Sequence, residues 1–222
     1  MVNKTTFKQY LLEAEEKMPR AKSQLDLRRS IVGGHFTKDG SKLKVTGDFT
    51  CSNNQLESLK GCPQTVGGSF YCSHNQLESL EGCPQTVVGD FRCSVNKLKS
   101  LEGCPQTVSG SFACSNNQLE SLKGCPQIVG GYFYCGDNEK LTSLARINFY
   151  VHEINGKDGA DFTGCPIKSN ILGLLKIGGL KKVYFDDKQL EAIMDKYLPM
   201  GNISECMDEL LDAGYSKEYC KW

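Results

Sequence analysis

Residues 47–67 read GDFTCSNNQLESLKGCPQTVG. The next three blocks are GSFYCSHNQLESLEGCPQTVV (68–88), GDFRCSVNKLKSLEGCPQTVS (89–109) and GSFACSNNQLESLKGCPQIVG (110–130), and a fifth opens GYFYCGDNEKLTSL at 131. Cys51, Cys72, Cys93, Cys114 and Cys135 therefore recur every 21 residues. A unit this short cannot bury an apolar face alone. It is stable only when stacked on its neighbours, so the repeat predicts a solenoid. A stack of near-identical coils offers one long regular surface and no natural catalytic pocket, which points to binding.

Within each block the inward positions can be read off. Phe-x-Cys, as in Phe70-Tyr71-Cys72, is a short strand of period two, with Phe and Cys on one side and the middle residue on the other. Strands are expected near 48–51, 69–72, 90–93, 111–114 and 132–135. A fixed Asn follows: Asn54, Asn75, Asn96, Asn117 and Asn138. Two residues on stand Leu56, Leu77, Leu98 and Leu119, and three further on Leu59, Leu80, Leu101 and Leu122. In the fifth copy one extra residue moves these to Leu141 and Leu144. Gly-Cys-Pro turns the chain, and Val45, Val66, Val87, Val108 and Val129 help close the core.

The order F-x-C-S-x-N-x-L-x-S-L resembles the leucine-rich repeat consensus, with Phe and Cys in place of the strand leucines. The resemblance covers roughly residues 43–146. It implies an α/β leucine-rich-repeat solenoid with short parallel strands, one per 21-residue coil, and an inward Asn ladder bonded to the backbone. A buried Asn needs such partners, because unsatisfied it costs several kcal/mol.

Twelve cysteines would suggest a disulfide framework in a short secreted chain. Here one column is Cys51 to Cys135 and another is Cys62, Cys83, Cys104 and Cys125, with Cys165 in a stray GCP downstream. A five-membered column cannot pair completely, and cysteine is a small hydrophobe that favours burial. Buried, reduced thiols are expected. No CxxC pair and no companion His column suggest a metal.

The chain has 222 residues, with 26 basic and 26 acidic side chains. That balance argues against a nucleic-acid surface. No apolar run approaches the length of a membrane span. Glu13, Glu15 and Glu16 interrupt any secretory apolar region at the start. No P-loop, GxSxG, HExxH or paired-carboxylate signature is present. His35, His74 and His152 are scattered, and no cofactor or metal is called for.

Four regions follow: an N-terminal helical segment (1–30), the solenoid (31–146), a stretch of degenerate repeat pieces (147–185, where IGGLKKVYF reads as a strand) and a helical region (186–222). In the last, Asp186-x-x-Gln189 reads as a capping box before Leu190, Ile193, Met194, Tyr197 and Leu198 at helical spacing. Asn202-x-x-Glu205 starts a second helix, with Ile203, Met207, Leu210 and Leu211 on one face and Gly214 as C-cap. These helices are read as a cap on the solenoid's open end, with a separate interaction module as the alternative.

Comparing copies separates scaffold from surface. The middle strand position runs Thr50, Tyr71, Arg92, Ala113, Tyr134. The position before the strand Phe runs Asp48, Ser69, Asp90, Ser111, Tyr132. The position before each Asn runs Asn53, His74, Val95, Asn116, Asp137. Candidate partner-binding residues are Thr50, Tyr71, His74, Asp90, Arg92, Tyr132 and Tyr134, since Tyr and Arg dominate interface energetics. Drift at solvent positions is the competing account.

Residues 7–14, FKQYLLEA, form an amphipathic stripe of Phe7, Tyr10, Leu11 and Ala14 that reads as a small N-terminal cap. The segment also resembles the capsid-targeting peptides of internal head proteins from T-even-type tailed phages, which end in Leu/Ile-x-Glu at the prohead protease site. The resemblance places cleavage after Glu13, with Leu11 at the Leu/Ile position of the motif, Glu13 the side chain that the protease reads and Ala14 the new N-terminus. It implies a phage protein packaged in the head, found in the virion or host cytoplasm, that binds a host or defence protein. A bacterial repeat adaptor with no virion role, and an enzyme with a site in the C-terminal region, are the other readings.

Overall fold

The computed structural model describes residues 31–32, 35–39, 42–145, 147, 150–151 and 159–221. It is a parallel-strand β-solenoid of about six turns followed by a few C-terminal helices. Each regular coil carries two short strands. The Phe-x-Cys strands Asp48–Thr50, Phe70–Tyr71, Phe91–Arg92, Phe112–Ala113 and Phe133–Tyr134 pair in parallel, and Gly159–Asp161 and Lys182–Tyr184 extend that sheet. The Thr-Val segments, read from sequence as core closure, form a second parallel sheet: Lys42–Val45, Thr65–Val66, Thr86–Val87, Thr107–Val108, Ile128–Val129 and Tyr150–Val151. Alternation explains it, since Thr points out and Val in.

Both sheets end on the N-terminal side in an antiparallel strand. Ile31–Val32 pairs with Asp48–Thr50, and Phe36–Asp39 with Lys42–Val45. The first 30 residues, with the N-terminal helix expected there, lie outside the described residues.

The core is built of columns. Phe49, Phe70, Phe91, Phe112 and Phe133 are fully buried and stack at centroid distances of 5.8, 5.3, 5.3 and 5.7 Å. Such pairs contribute about 0.5–1.5 kcal/mol each beyond area burial. The expected Asn ladder is present, and it ties coils together. Asn96 Nδ2 donates to Cys72 O of the coil before (3.1 Å) and Cys93 O of its own (3.0 Å), while its Oδ1 accepts from Leu77 N (3.0 Å). Asn75, Asn117 and Asn138 make the equivalent bonds.

None of the twelve cysteines is in a disulfide; ten are buried, and Cys125 and Cys220 are half-buried. The corner thiols cross the coil gap: Cys83 Sγ donates to Gly103 O (3.1 Å) and Cys104 Sγ to Gly124 O (3.0 Å). The glycine of the second GCP corner is required twice over. Gly82 has φ +87°, and a Cβ there would stand 2.9 Å from the Leu59 carbonyl carbon.

The stretch 147–185 is less degenerate than its sequence. Register pairs Phe133 with Ala160, and Ala160 with Val183. The inward pair thus changes from Phe-x-Cys to Ala160-x-Phe162 and Val183-x-Phe185, moving the bulk from the first inward position to the second. The aromatic column continues through it, Phe133 to Phe162 at 6.1 Å and Phe162 to Phe185 at 5.8 Å. Cys165 consequently leaves the corner column. Asp137 N donates to Thr163 O, so Gly164 stands beside Asp137 and Cys165 next to the Asn138 position, its Sγ donating to Cys135 O (3.2 Å).

Helix α1 (Lys188–Tyr197) and helix α2 (Ile203–Asp212) pack on this end, burying Leu190, Ile193, Met194, Tyr197, Cys206 and Leu210 in the same core. The N-cap of α1 is Asp187, one residue later than the capping-box reading: its side chain accepts from Gln189 N and Leu190 N at 3.0 Å. Asp186 is occupied elsewhere, accepting from Gly164 N (2.8 Å). Asn202 caps α2 as expected, and Gly214 follows it at φ +89°. Among the described residues no helix is long and apolar enough to cross a membrane.

Candidate binding face

The solvent face of the Phe-x-Cys sheet carries one unbroken row. Strand register sets Thr50 beside Tyr71, Tyr71 beside Arg92, Arg92 beside Ala113 and Ala113 beside Tyr134. The row then runs on through Asp161 and Tyr184, residues that the sequence reading did not include. Their signal was hidden by the exchange of inward bulk, which masks Ala-Asp-Phe and Val-Tyr-Phe as members of the strand family.

Two groupings stand on the row. Around Arg92, the guanidinium lies 5.4 Å from the Tyr71 ring centroid and donates to Asp90 Oδ2 at 2.8 Å. The hydrogen bond to Asp90, opposed in part by burial, raises the Arg92 pKa further. Around Tyr134, which is 40% exposed, Tyr132 stacks at 4.8 Å and Tyr184 lies 6.2 Å beyond Tyr132. Lys182 Nζ sits 5.1 Å from the Tyr184 centroid. Burial, and after it a hydrogen bond with Tyr184, pushes the Tyr132 phenol well above its usual range. Gly159 makes room for the Tyr132 ring, because a Cβ there would lie 2.6 Å from Cζ. Between the groupings Ala113 is short, so the row dips between Arg92 and Tyr134.

The other two varying columns are chiefly scaffold. Before each strand, Asp48 Oδ1 accepts from Ser69 N (2.7 Å), Ser69 Oγ from Asp90 N (3.0 Å), Asp90 Oδ1 from Ser111 N (2.9 Å) and Ser111 Oγ from Tyr132 N (3.1 Å). Asp90, expected on the binding face, thus spends one oxygen on the next coil and the other on Arg92. The column ahead of the Asn ladder is left-handed backbone: Asn53 φ 60°, His74 56°, Val95 57°, Asn116 55° and Asp137 55°. Its residues are chosen for that turn as much as for contact, and His74 is an exposed member of it. Asn and Asp tolerate the conformation; a β-branched Val is an outlier.

Among the described residues no group of three or more His, Cys, Asp or Glu side chains is placed to hold a metal ion. The Leu11, Glu13 and Ala14 processing site lies outside the described residues. No protein-family model, curated protein or solved structure matches this chain.

Proposed function

We propose that this is a non-enzymatic protein-binding repeat protein of the leucine-rich type, and that the row Tyr71, Arg92, Tyr134 with Tyr132 beside it is its docking face. One observation carries the reading. The core Phe, Cys, Asn and Leu columns repeat their residues, whereas this outward row changes residue type in every coil and collects Tyr and Arg, the residues that anchor interfaces. The leucine-rich assignment is supported by the Asn ladder bonding each coil to the one before; the second parallel sheet in each coil is the feature it does not anticipate.

The partner is a protein of a bacterial host. That part of the reading rests on the resemblance of residues 7–14 to phage capsid-targeting peptides, which makes the chain a head-packaged protein cut after Glu13. N-terminal sequencing from virions should then start at Ala14, and Glu13→Ala should abolish the cut. Absence from virions, or a virion form starting at Met1, removes the packaging claim and leaves an intracellular binding protein.

The docking face is tested by alanine at Tyr71, Arg92, Tyr132 and Tyr134 together. Host proteins retained by the parent chain, quantified by mass spectrometry, should be lost by the variant while its thermal unfolding is unchanged. Equal retention, or loss only on changing residues 186–222, assigns binding elsewhere.

A further inference from the structure

In the regular stack every strand hands its outward-facing amides to the next coil: Phe70 N donates to Asp90 O and Cys72 N to Arg92 O, and Phe162 N likewise to Tyr184 O. Lys182–Tyr184 is the end strand of this sheet among the described residues. Its equivalent amides go to side chains of α1. Val183 N donates to Asp195 Oδ1 (3.2 Å) and Phe185 N to Glu191 Oε2 (3.0 Å), while Phe185 O receives Lys188 Nζ (3.0 Å). Beneath them Val183 and Phe185 are buried, and Leu190, Ile193 and Met194 of α1 belong to the same core. Helix α1 therefore stands in for a further coil, in polar partners as well as in apolar cover. An uncovered parallel edge of this kind is a template for strand addition.

We propose that α1 is a gate on self-association: lifted, it exposes Lys182–Tyr184 to antiparallel pairing with the same strand of a second copy of this chain. A two-fold pair centred on Val183 sets Lys182 of each copy opposite Tyr184 of the other. That juxtaposition is favourable, since within one chain Lys182 Nζ already lies 5.1 Å from the Tyr184 ring centroid. The same pairing covers the apolar end left by Val183 and Phe185. Two-fold closure uses up both edges, so the product is a dimer and not a fibre.

The latch is ionic. Glu191 faces Lys188 on its own helix (2.9 Å) and Lys182 on the strand, and Asp195 faces Lys182 (3.8 Å). Lys188 also feels Asp186 and Asp161. On the side of α2, the Glu209 carboxylate pairs with Lys196 and Tyr197, away from the edge. Acid that protonates Glu191 removes the charge from the acceptor of Phe185 N and from the partner of Lys188.

The test is sedimentation velocity on the full chain and on Glu191→Ala/Asp195→Ala, with hydrogen exchange at the Val183 and Phe185 amides. The variant is expected to double in mass relative to the parent and, at dilutions where it is monomeric, to lose the protection at both amides that pairing restores. Adding Tyr184→Lys, which sets lysine against lysine across the pair, should restore the parent mass. A variant of unchanged mass overturns the proposal, whether the amides open without pairing or stay protected without the carboxylates. Should the double variant fail to fold, the parent chain in acid carries the test. A doubled mass that Tyr184→Lys abolishes is expected, and an unchanged mass, or a doubling insensitive to Tyr184→Lys, refutes it.

Discussion

Asn96 reaches back across a whole coil to hold Cys72 O at 3.1 Å, and the same amide nitrogen holds Cys93 O in its own coil. The two carbonyls are 21 residues apart in sequence and share one buried donor group. Each also accepts from a second Asn, Cys72 O from Asn75 and Cys93 O from Asn117, so the Asn ladder is the continuous polar counterpart of the Phe stack.

Asn96→Asp keeps the shape and removes the donors. It places a carboxylate against two buried carbonyls, so a loss of about 2–4 kcal/mol is expected. Urea unfolding should show it, with Asn96→Ala costing less, about 1–3 kcal/mol, because it leaves Leu77 N without its acceptor while Cys72 O keeps Asn75 and Cys93 O keeps Asn117.

Val95 carries the opposite expectation. A β-branched residue at φ 57° pays roughly 1–2 kcal/mol that glycine or asparagine avoids. Val95→Asn, the residue that coils one and four already use as Asn53 and Asn116, should raise stability by about 1 kcal/mol. The side chain is 39% exposed, so little packing is lost. Thermal unfolding decides it.

The thiols set an alkaline limit. Burial pushes Cys83 up to about 12 and also raises Cys72, Cys93 and Cys104. A thiol whose pKa is higher folded than unfolded binds its proton more tightly when folded. Its contribution is complete below the unfolded value, about 8.5, and is lost as pH rises through the folded one. Stability should be flat to about pH 8 and fall steeply between about 9 and 12, each such thiol adding up to about 1.4 kcal/mol per pH unit to the slope. In native protein at neutral pH, thiol titration should find the half-buried Cys125 and Cys220 first, and all twelve only after denaturation.

Asp90 and Arg92 separate scaffold from surface. Asp90→Ala leaves Ser111 N without its side-chain acceptor and should cost about 1 kcal/mol. Arg92→Ala breaks a surface ion pair and a contact with the Tyr71 ring and should cost less, about 0.5 kcal/mol. Chemical denaturation of the two variants side by side tests the assignment, and a larger cost at Arg92 reverses it.

The regular coils were legible because the same chemistry recurs at Phe70, Cys72, Asn75, Leu77 and Leu80 in each copy, and a stack demands that recurrence. The Thr-Val strand was missed because two residues are too few for alternation to declare itself. Phe162 and Phe185 were missed as ladder members because they moved two residues along the strand when Ala160 and Val183 took the first inward place. On the candidate face, Tyr71, Arg92, Tyr132 and Tyr134 could be read from the varying column. Asp90 and His74 could not be separated from it, since a side chain-to-backbone bond and a left-handed turn leave no spacing signal. Asp161, Lys182 and Tyr184 reach the face only through strand register.

The alternation of Asp48, Ser69, Asp90 and Ser111 along one column gives the solenoid a parity. Each acid is followed by a hydroxyl, and each accepts the amide of the other kind. Removing residues 69–89 would bring Asp90 directly onto Asp48. Two carboxylates would then stand a strand spacing apart, a repulsion on the order of 1 kcal/mol even in water. Removing residues 69–110 would restore Asp48 to a serine, Ser111. The unit whose removal keeps this alternation intact is therefore a doublet of coils, twice the period that the eye finds in its sequence.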